Sequence, residues 1–195
     1  MIPRHFQITI ALLLLAILVG GVMIIHLRHK EQEANLLRSP AAPGAPVAGA
    51  EEKIRMLLAY DDDQALRWRE TTVFMPVDRA LRARAALRAV LAQYLQTPSP
   101  HPLGKGADIK DVYLIDNDTM VVDTNREFAD GHPSGILLEQ LTMTSLIETL
   151  TANVAGVARV KFLVEGEERE TLAGHADLMS FYRTAATHEL AREFE

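Results

Sequence analysis

The chain opens with an apolar block and then breaks into short patterned segments. From Phe6 to Ile25 there are twenty residues without a charge, about the length of helix that spans a hydrocarbon core. This predicts a short tail over residues 1–5 and one transmembrane helix over residues 6–27. His26-Leu27-Arg28-His29-Lys30 follows the run where a cleaved signal would carry a small-residue site, so the span is expected to stay in the chain. Residues 28–50 pass from this basic collar into Ser39-Pro40-Ala41-Ala42-Pro43-Gly44-Ala45-Pro46, whose Pro, Gly and Ala read as an extended tether.

Patterned sequence resumes at residue 51. Lys53 to Tyr60 alternates and then turns apolar, as a strand does, and Asp61-Asp62-Asp63 stops it. Leu66 to Met75 reads as a second short strand. Asp78 is placed to cap a helix from Arg79, on which Ala83, Leu87, Val90, Leu91 and Tyr94 share one face. Asp111–Ile115 and Thr119–Asp123 flank Asp116-Asn117-Asp118, the signature of a hairpin turn. Ser134 is the predicted cap of a long helix reaching about Val154, with Glu139 near its positive end. Val157–Val164 gives a strand with Val160, Phe162 and Val164 on one face. After Glu165-Gly166-Glu167 the segment Glu170-Thr171-Leu172 is expected to pair back. The order β-α-β-β-α-β, with one apolar face per helix, predicts an α+β fold: a small, mostly antiparallel sheet with two helices on one face. Residues 51–182 form this domain. Residues 183–195 form a charged tail, with a peripheral helix or a frayed end over Thr187–Glu195.

Charge narrows the function. The whole chain is at −6, residues 1–50 at +2 and the remainder at −8, which argues against nucleic acid as a partner. No cysteine is present, so disulfides, thiolate metal sites, cysteine nucleophiles and a lipid-modified cysteine are all excluded. Asp61-Asp62-Asp63 lacks the spacing and the Gly of a calcium loop. His101, His132, His175 and His188 form no zinc spacing, and Ser134, Ser145 and Ser180 stand in no nucleophile elbow. Neither a metal, a cofactor nor a catalytic residue is therefore assigned, and an enzyme is not expected. Arg79, Arg82 and Arg88, with Arg84, concentrate positive charge on an acidic domain. They are the candidate partner-binding residues, for an anionic headgroup, a cell-wall polymer or an acidic protein, although a solvated helix face needs no ligand.

Three stretches together resemble one known family. They are Asp116-Asn117-Asp118-Thr119-Met120-Val121-Val122-Asp123-Thr124-Asn125; Ser134-Gly135 with the helix through Thr149-Leu150-Thr151-Ala152-Asn153; and Val160 to Leu178, closing on Gly174-His175-Ala176-Asp177-Leu178. They look like the GerMN domain of sporulation and spore germination proteins, over about residues 51–182. Thr124 departs from that pattern, where the family often has Leu, and Glu165 departs where it often has Asp. The resemblance implies an extracytoplasmic domain on a membrane anchor, a fold similar to ring-building modules, and no catalytic residues.

The positive-inside count alone, with Arg4 before the span and Arg28, Lys30 and Arg38 after it, leans toward a cytoplasmic domain. The resemblance turns the expectation outward, to a single-pass protein of the cell membrane held by Phe6–Ile25. The leading function is a non-catalytic interaction or assembly module of the cell envelope, with a homo-oligomer or an envelope protein as partner. A module binding peptidoglycan or another polysaccharide competes with it, through Trp68 and the tyrosines. An envelope hydrolase using His175 and Asp177 is the third reading. For these two residues, hydrogen bonding around the closing turn is the simpler role.

Overall fold

The computed structural model describes residues 48–195. The predicted span Phe6–Ile25 and most of the tether lie outside the described residues, and among those described no helix is long and apolar enough to cross a membrane.

Two 12-residue strands come first, β1 (Gly49–Tyr60) and β2 (Ala65–Pro76), paired antiparallel as a long hairpin. Helix α1 (Arg79–Tyr94) follows, and the Asp78 side chain accepts from the Leu81 N–H at 2.9 Å, the predicted cap. Next come β3 (Ile109–Leu114), β4 (Thr119–Thr124), the short α2 (Arg126–Asp130) and the long α3 (Ile136–Asn153). The chain ends with β5 (Arg159–Val164), β6 (Tyr182–Arg183) and α4 (Thr184–Ala191).

The α+β class stands, and the sheet is corrected in two ways. The first hairpin forms a sheet of its own, and the second sheet, in the order β3-β4-β5-β6, pairs β4 with β5 in parallel. The return strand is Tyr182–Arg183; Glu170–Leu172 contributes only an isolated bridge from Thr171 to Asp177. The tail carries α4, which lies against α3 with Thr187 and Ala191 buried. Its last turn is fastened to the hairpin, where the Leu66 N–H donates to the Phe194 carbonyl at 2.8 Å and Trp68 Nε1 to Glu195 at 3.0 Å.

One core joins these layers. It holds Met56 and Leu58 of β1, Leu87 and Leu91 of α1, Met120 and Val122 of β4, Leu146 and Leu150 of α3, and Val160 and Phe162 of β5. The hairpin leaves one edge of β1 without a strand partner, and helices supply what is missing. Asn153 bonds both backbone groups of Arg55 (3.3 and 2.7 Å), Thr149 accepts from the Leu57 N–H (2.9 Å), and Ser145 donates to the Leu57 carbonyl (2.6 Å). The Tyr94 hydroxyl accepts from the Ala59 N–H at 2.8 Å. The spacing explains the fit, since four helical residues rise about 6.0 Å and two strand residues about 6.7 Å. The Ser–Thr–Asn stripe at every fourth position of α3 can therefore run along the β1 edge, Ser145 and Thr149 sharing Leu57 and Asn153 taking Arg55.

Candidate functional site

The closing segment is built on one carboxylate. Glu139, in the first turn of α3, is fully buried. One oxygen accepts from the Ala173, His175 and Ala176 N–H groups at 3.0, 3.0 and 2.8 Å, and the other from the Gly135 N–H at 3.2 Å. Burial alone would raise its pKa; the four backbone donors outweigh that and hold it below the usual carboxylate range. Gly174 bends the loop around the carboxylate at a φ of +121°, which an L side chain would strain. The cap predicted at Ser134 thus falls one residue later, at Gly135, whose cap position is served by Glu139.

Beside this clamp lies a cavity of about 270 Å³. It is lined by Met143, Thr144 and Ile147 of α3, by Phe181 and Tyr182, and by Leu190 of α4. Ile136 stands at the mouth, 69% exposed, with the exposed His175 and Asp177 on the rim. Asp177 is occupied by the turn. It takes hydrogen bonds from Ser180 and from the Met179 N–H at 2.7 Å, which depress its pKa, while its carbonyl accepts from the Tyr182 hydroxyl at 2.7 Å. Asp177 bonds around the turn as the simpler sequence reading has it, whereas His175 takes part through its backbone N–H, which Glu139 holds. Burial pushes the Tyr182 phenol up to about 12, which keeps it a neutral donor.

The three candidate arginines are each engaged within the chain. Arg79 donates to the carbonyls of Asn117 (3.1 Å) and Ala155 (2.8 Å), Arg82 to the Asn153 carbonyl (2.9 Å) and to Glu52, and Arg88 to Asp108 and the Ile109 carbonyl. They fasten α1 to the end of α3 and to the free edge of β3. Trp68 is also taken, under the Arg55 guanidinium 4.4 Å from its ring and bonded to Glu195.

Sequence reasoning missed a buried polar chain. His101 is fully buried, with Nδ1 2.5 Å from Asp61 Oδ1 and Nε2 2.6 Å from Thr142 Oγ1; Thr142 also lies 2.7 Å from His132 Nε2. The Pro133 carbonyl, 2.7 Å from His132 Nδ1, can only accept, so that nitrogen carries a proton. Burial lowers the His132 pKa, and the Thr142 hydroxyl donates to the Leu138 carbonyl at 3.0 Å. The Thr142 oxygen thus lies within hydrogen-bond distance of both imidazole rings, and the His101 ring faces Asp61 on its other side. The residue types and distances match a Thr–His–Asp triad. Yet Thr142 is 0% exposed, and a nucleophile needs room for a substrate carbonyl. The chain of bonds ties the loops around residues 61, 101 and 133 to α3. Histidines in Pro- and Gly-rich loops were its only trace in the sequence.

The geometry defines a class: an α+β domain with an apolar cavity beside a clamped loop and with the triad-like atoms enclosed. Among the described residues no group of acidic or histidine side chains is arranged to hold a metal ion. The family model described as "Germane: Sporulation and spore germination" matches residues 58–170, more than half of the chain. The chain belongs to this GerMN family. Similar solved structures include a candidate lipoprotein from Clostridium perfringens (15% identity, 73% of this chain and 93% of that chain, TM-score 0.47). The tandem GerMN domains of the sporulation protein GerM from Bacillus subtilis give 18% identity over 67% of this chain and 45% of that chain, TM-score 0.47. The first GerMN domain of that protein gives 17%, 66%, 94% and 0.43. No curated protein matches the chain.

Proposed function

We propose that the chain is a membrane-anchored, extracytoplasmic GerMN module of the cell envelope that works by binding a protein partner and not by catalysis. The observation that carries this reading is the apolar cavity between α3, the closing segment and α4, about 270 Å³ with Ile136 at its mouth. Its size and lining suit an apolar side chain of a partner, and an exposed apolar hollow is a mark of recognition. The uncharged run Phe6–Ile25 and the Pro-rich tether support the anchored part of the reading.

A photo-crosslinking residue in place of Ile136, in the full-length chain in its native membrane, tests it. Adducts to an envelope protein are expected from this position and not from Ala185 on the outer side of α4. Equal labelling from both positions would sink the reading. A reporter active only in the cytoplasm, fused after Glu195, tests the side: activity there overturns the orientation and leaves the anchor standing.

A further inference from the structure

We propose that the free edge of β2, from Trp68 to Phe74, is a strand-addition site for an extended acidic segment of a partner protein. The inference uses a surface other than the cavity and survives the failure of that reading.

In an antiparallel pair, backbone groups point alternately toward the facing strand and away from it. Arg55, Leu57 and Ala59 of β1 turn theirs to the helix side chains, so Ile54, Met56 and Leu58 bond to β2, opposite Thr71, Arg69 and Arg67. Trp68, Glu70, Thr72 and Phe74 therefore turn their N–H and C=O groups outward, and among the described residues nothing takes them. The ends of the strand are closed. The Leu66 N–H is held by the Phe194 carbonyl, and Pro76 has no N–H to offer. Between them the register runs unbroken, without the bulge or proline that commonly blunts an exposed edge.

Such a row of donors and acceptors, about 20 Å long and repeating every two residues at about 6.7 Å, is met by another extended backbone. Room for its side chains lies alongside. On the face that carries Arg69 and Thr71, an open groove of about 580 Å³ runs beside Gln93 and Gln96 at the end of α1, and Pro100. An added strand turns every second side chain to that face and the others toward Phe74, which is 49% exposed.

Charge selects the occupant. Arg67 pairs with Asp63, and Glu70 with Lys53. Arg55 instead lies over the Trp68 ring, and Arg69 Nε donates to the Tyr60 hydroxyl at 3.1 Å; among the described residues neither guanidinium meets a carboxylate. One stands on each face of the hairpin. The edge is thus a basic strip on a domain of −8, whose remoter charges are screened beyond about 8 Å at physiological salt. Acidic side chains of an added strand meet an unpaired arginine on either face. A second copy would bring its own Arg55 and Arg69 to the contact, and its −8 as well, so it does not fit.

The test uses the full-length chain in mild detergent, with amide hydrogen exchange read by NMR and the emission of Trp68, its single tryptophan. In the free chain the Glu70, Thr72 and Phe74 amides should exchange fast, while those of Arg69, Thr71 and Val73 are protected. A short synthetic peptide alternating glutamate with valine should protect the first set and shift the Trp68 emission. Lysine in place of glutamate should weaken binding at least tenfold, and N-methylation along the peptide should abolish it. Thr72→Pro removes an outward donor that β1 does not use and should cost at least tenfold, as should Arg69→Glu. If Thr72→Pro loses its cooperative melt, Arg69→Glu and the N-methylated peptide decide. Ile136→Glu, at the cavity, should leave this binding in place, which separates the two readings. Outward amides already slow to exchange in the free chain overturn the proposal. No protection by the glutamate peptide, or equal binding of the lysine or N-methylated peptide, overturns it too. So does a dimer lost with Thr72→Pro, which gives the edge to a second copy.

Discussion

Replacing Thr149 with Val keeps the side-chain shape and removes one oxygen. That oxygen is the acceptor for the Leu57 N–H at 2.9 Å, and both residues are fully buried. No strand lies on that side of β1 to take over, and water is shut out, so the amide is left without a partner. An orphaned buried donor costs about 1–3 kcal/mol, whereas the near-isosteric swap opens no cavity. For a folded unit of this size each kcal/mol moves the melting midpoint by about 2–4 °C, so a loss near 2 kcal/mol lowers it by about 4–8 °C. Thr149→Ser is the control: it keeps the hydroxyl, drops one methyl, and should lose about 0.5–1.5 kcal/mol. Denaturant titration followed by circular dichroism separates the two, with the midpoint shifting and the slope constant. If Val is tolerated as well as Ser, or Ser is as damaging as Val, the helix side chains are packing material and the account of β1's edge is wrong.

Glu139→Gln removes the charge that gathers four amides; losing those charge-assisted bonds should destabilise the domain by about 2–3 kcal/mol and open the loop at Ala173–Asp177 to protease, read by limited proteolysis. In the wild type the same carboxylate, with its folded pKa below the ordinary value, supports folding above that value and loses its contribution as pH falls through the folded pKa, which an acid-melt series would show. His132 acts at milder pH: its folded pKa is depressed, so the unfolded chain binds more protons below about 6.5, and stability should decline as pH falls from there, a slope that His132→Asn flattens. Arg82→Glu sets a second carboxylate against Glu52 and frees the Asn153 carbonyl, so the melting midpoint should fall; an unchanged midpoint would free this arginine for a partner role.

Much of the fold can be read in the residues, because periodicity reports which face of an element is covered. The Asp78 cap, the Asp116-Asn117-Asp118 turn and the inward set Val160, Phe162 and Val164 all follow from local pattern, and all are present. Periodicity does not say which element does the covering. The parallel pairing of β4 with β5 crosses a long helix, and the detached hairpin depends on Ser145, Thr149 and Asn153 meeting residues some ninety positions earlier in the chain. The cavity depends on α4, whose short Ala-rich sequence gives little sign that Ala191 is fully buried. His101 was illegible for the same reason, since Asp61 and Thr142 lie 40 and 41 positions away on either side.

The helix-backed edge of β1 also bears on how the domain carries load. The tether joins at Gly49, opposite Pro76, at the open end of the hairpin. A pull along it peels the first rungs one at a time, through exposed residues held sideways mainly by the Glu52–Arg82 pair. At Arg55 the geometry changes, because Asn153, Thr149, Ser145 and Tyr94 grip the opposite edge and peeling must break two rows of bonds together. The hairpin thus has a yielding lead of a few residues in front of a mechanical stop, where α3 and Tyr94 grip the edge of β1.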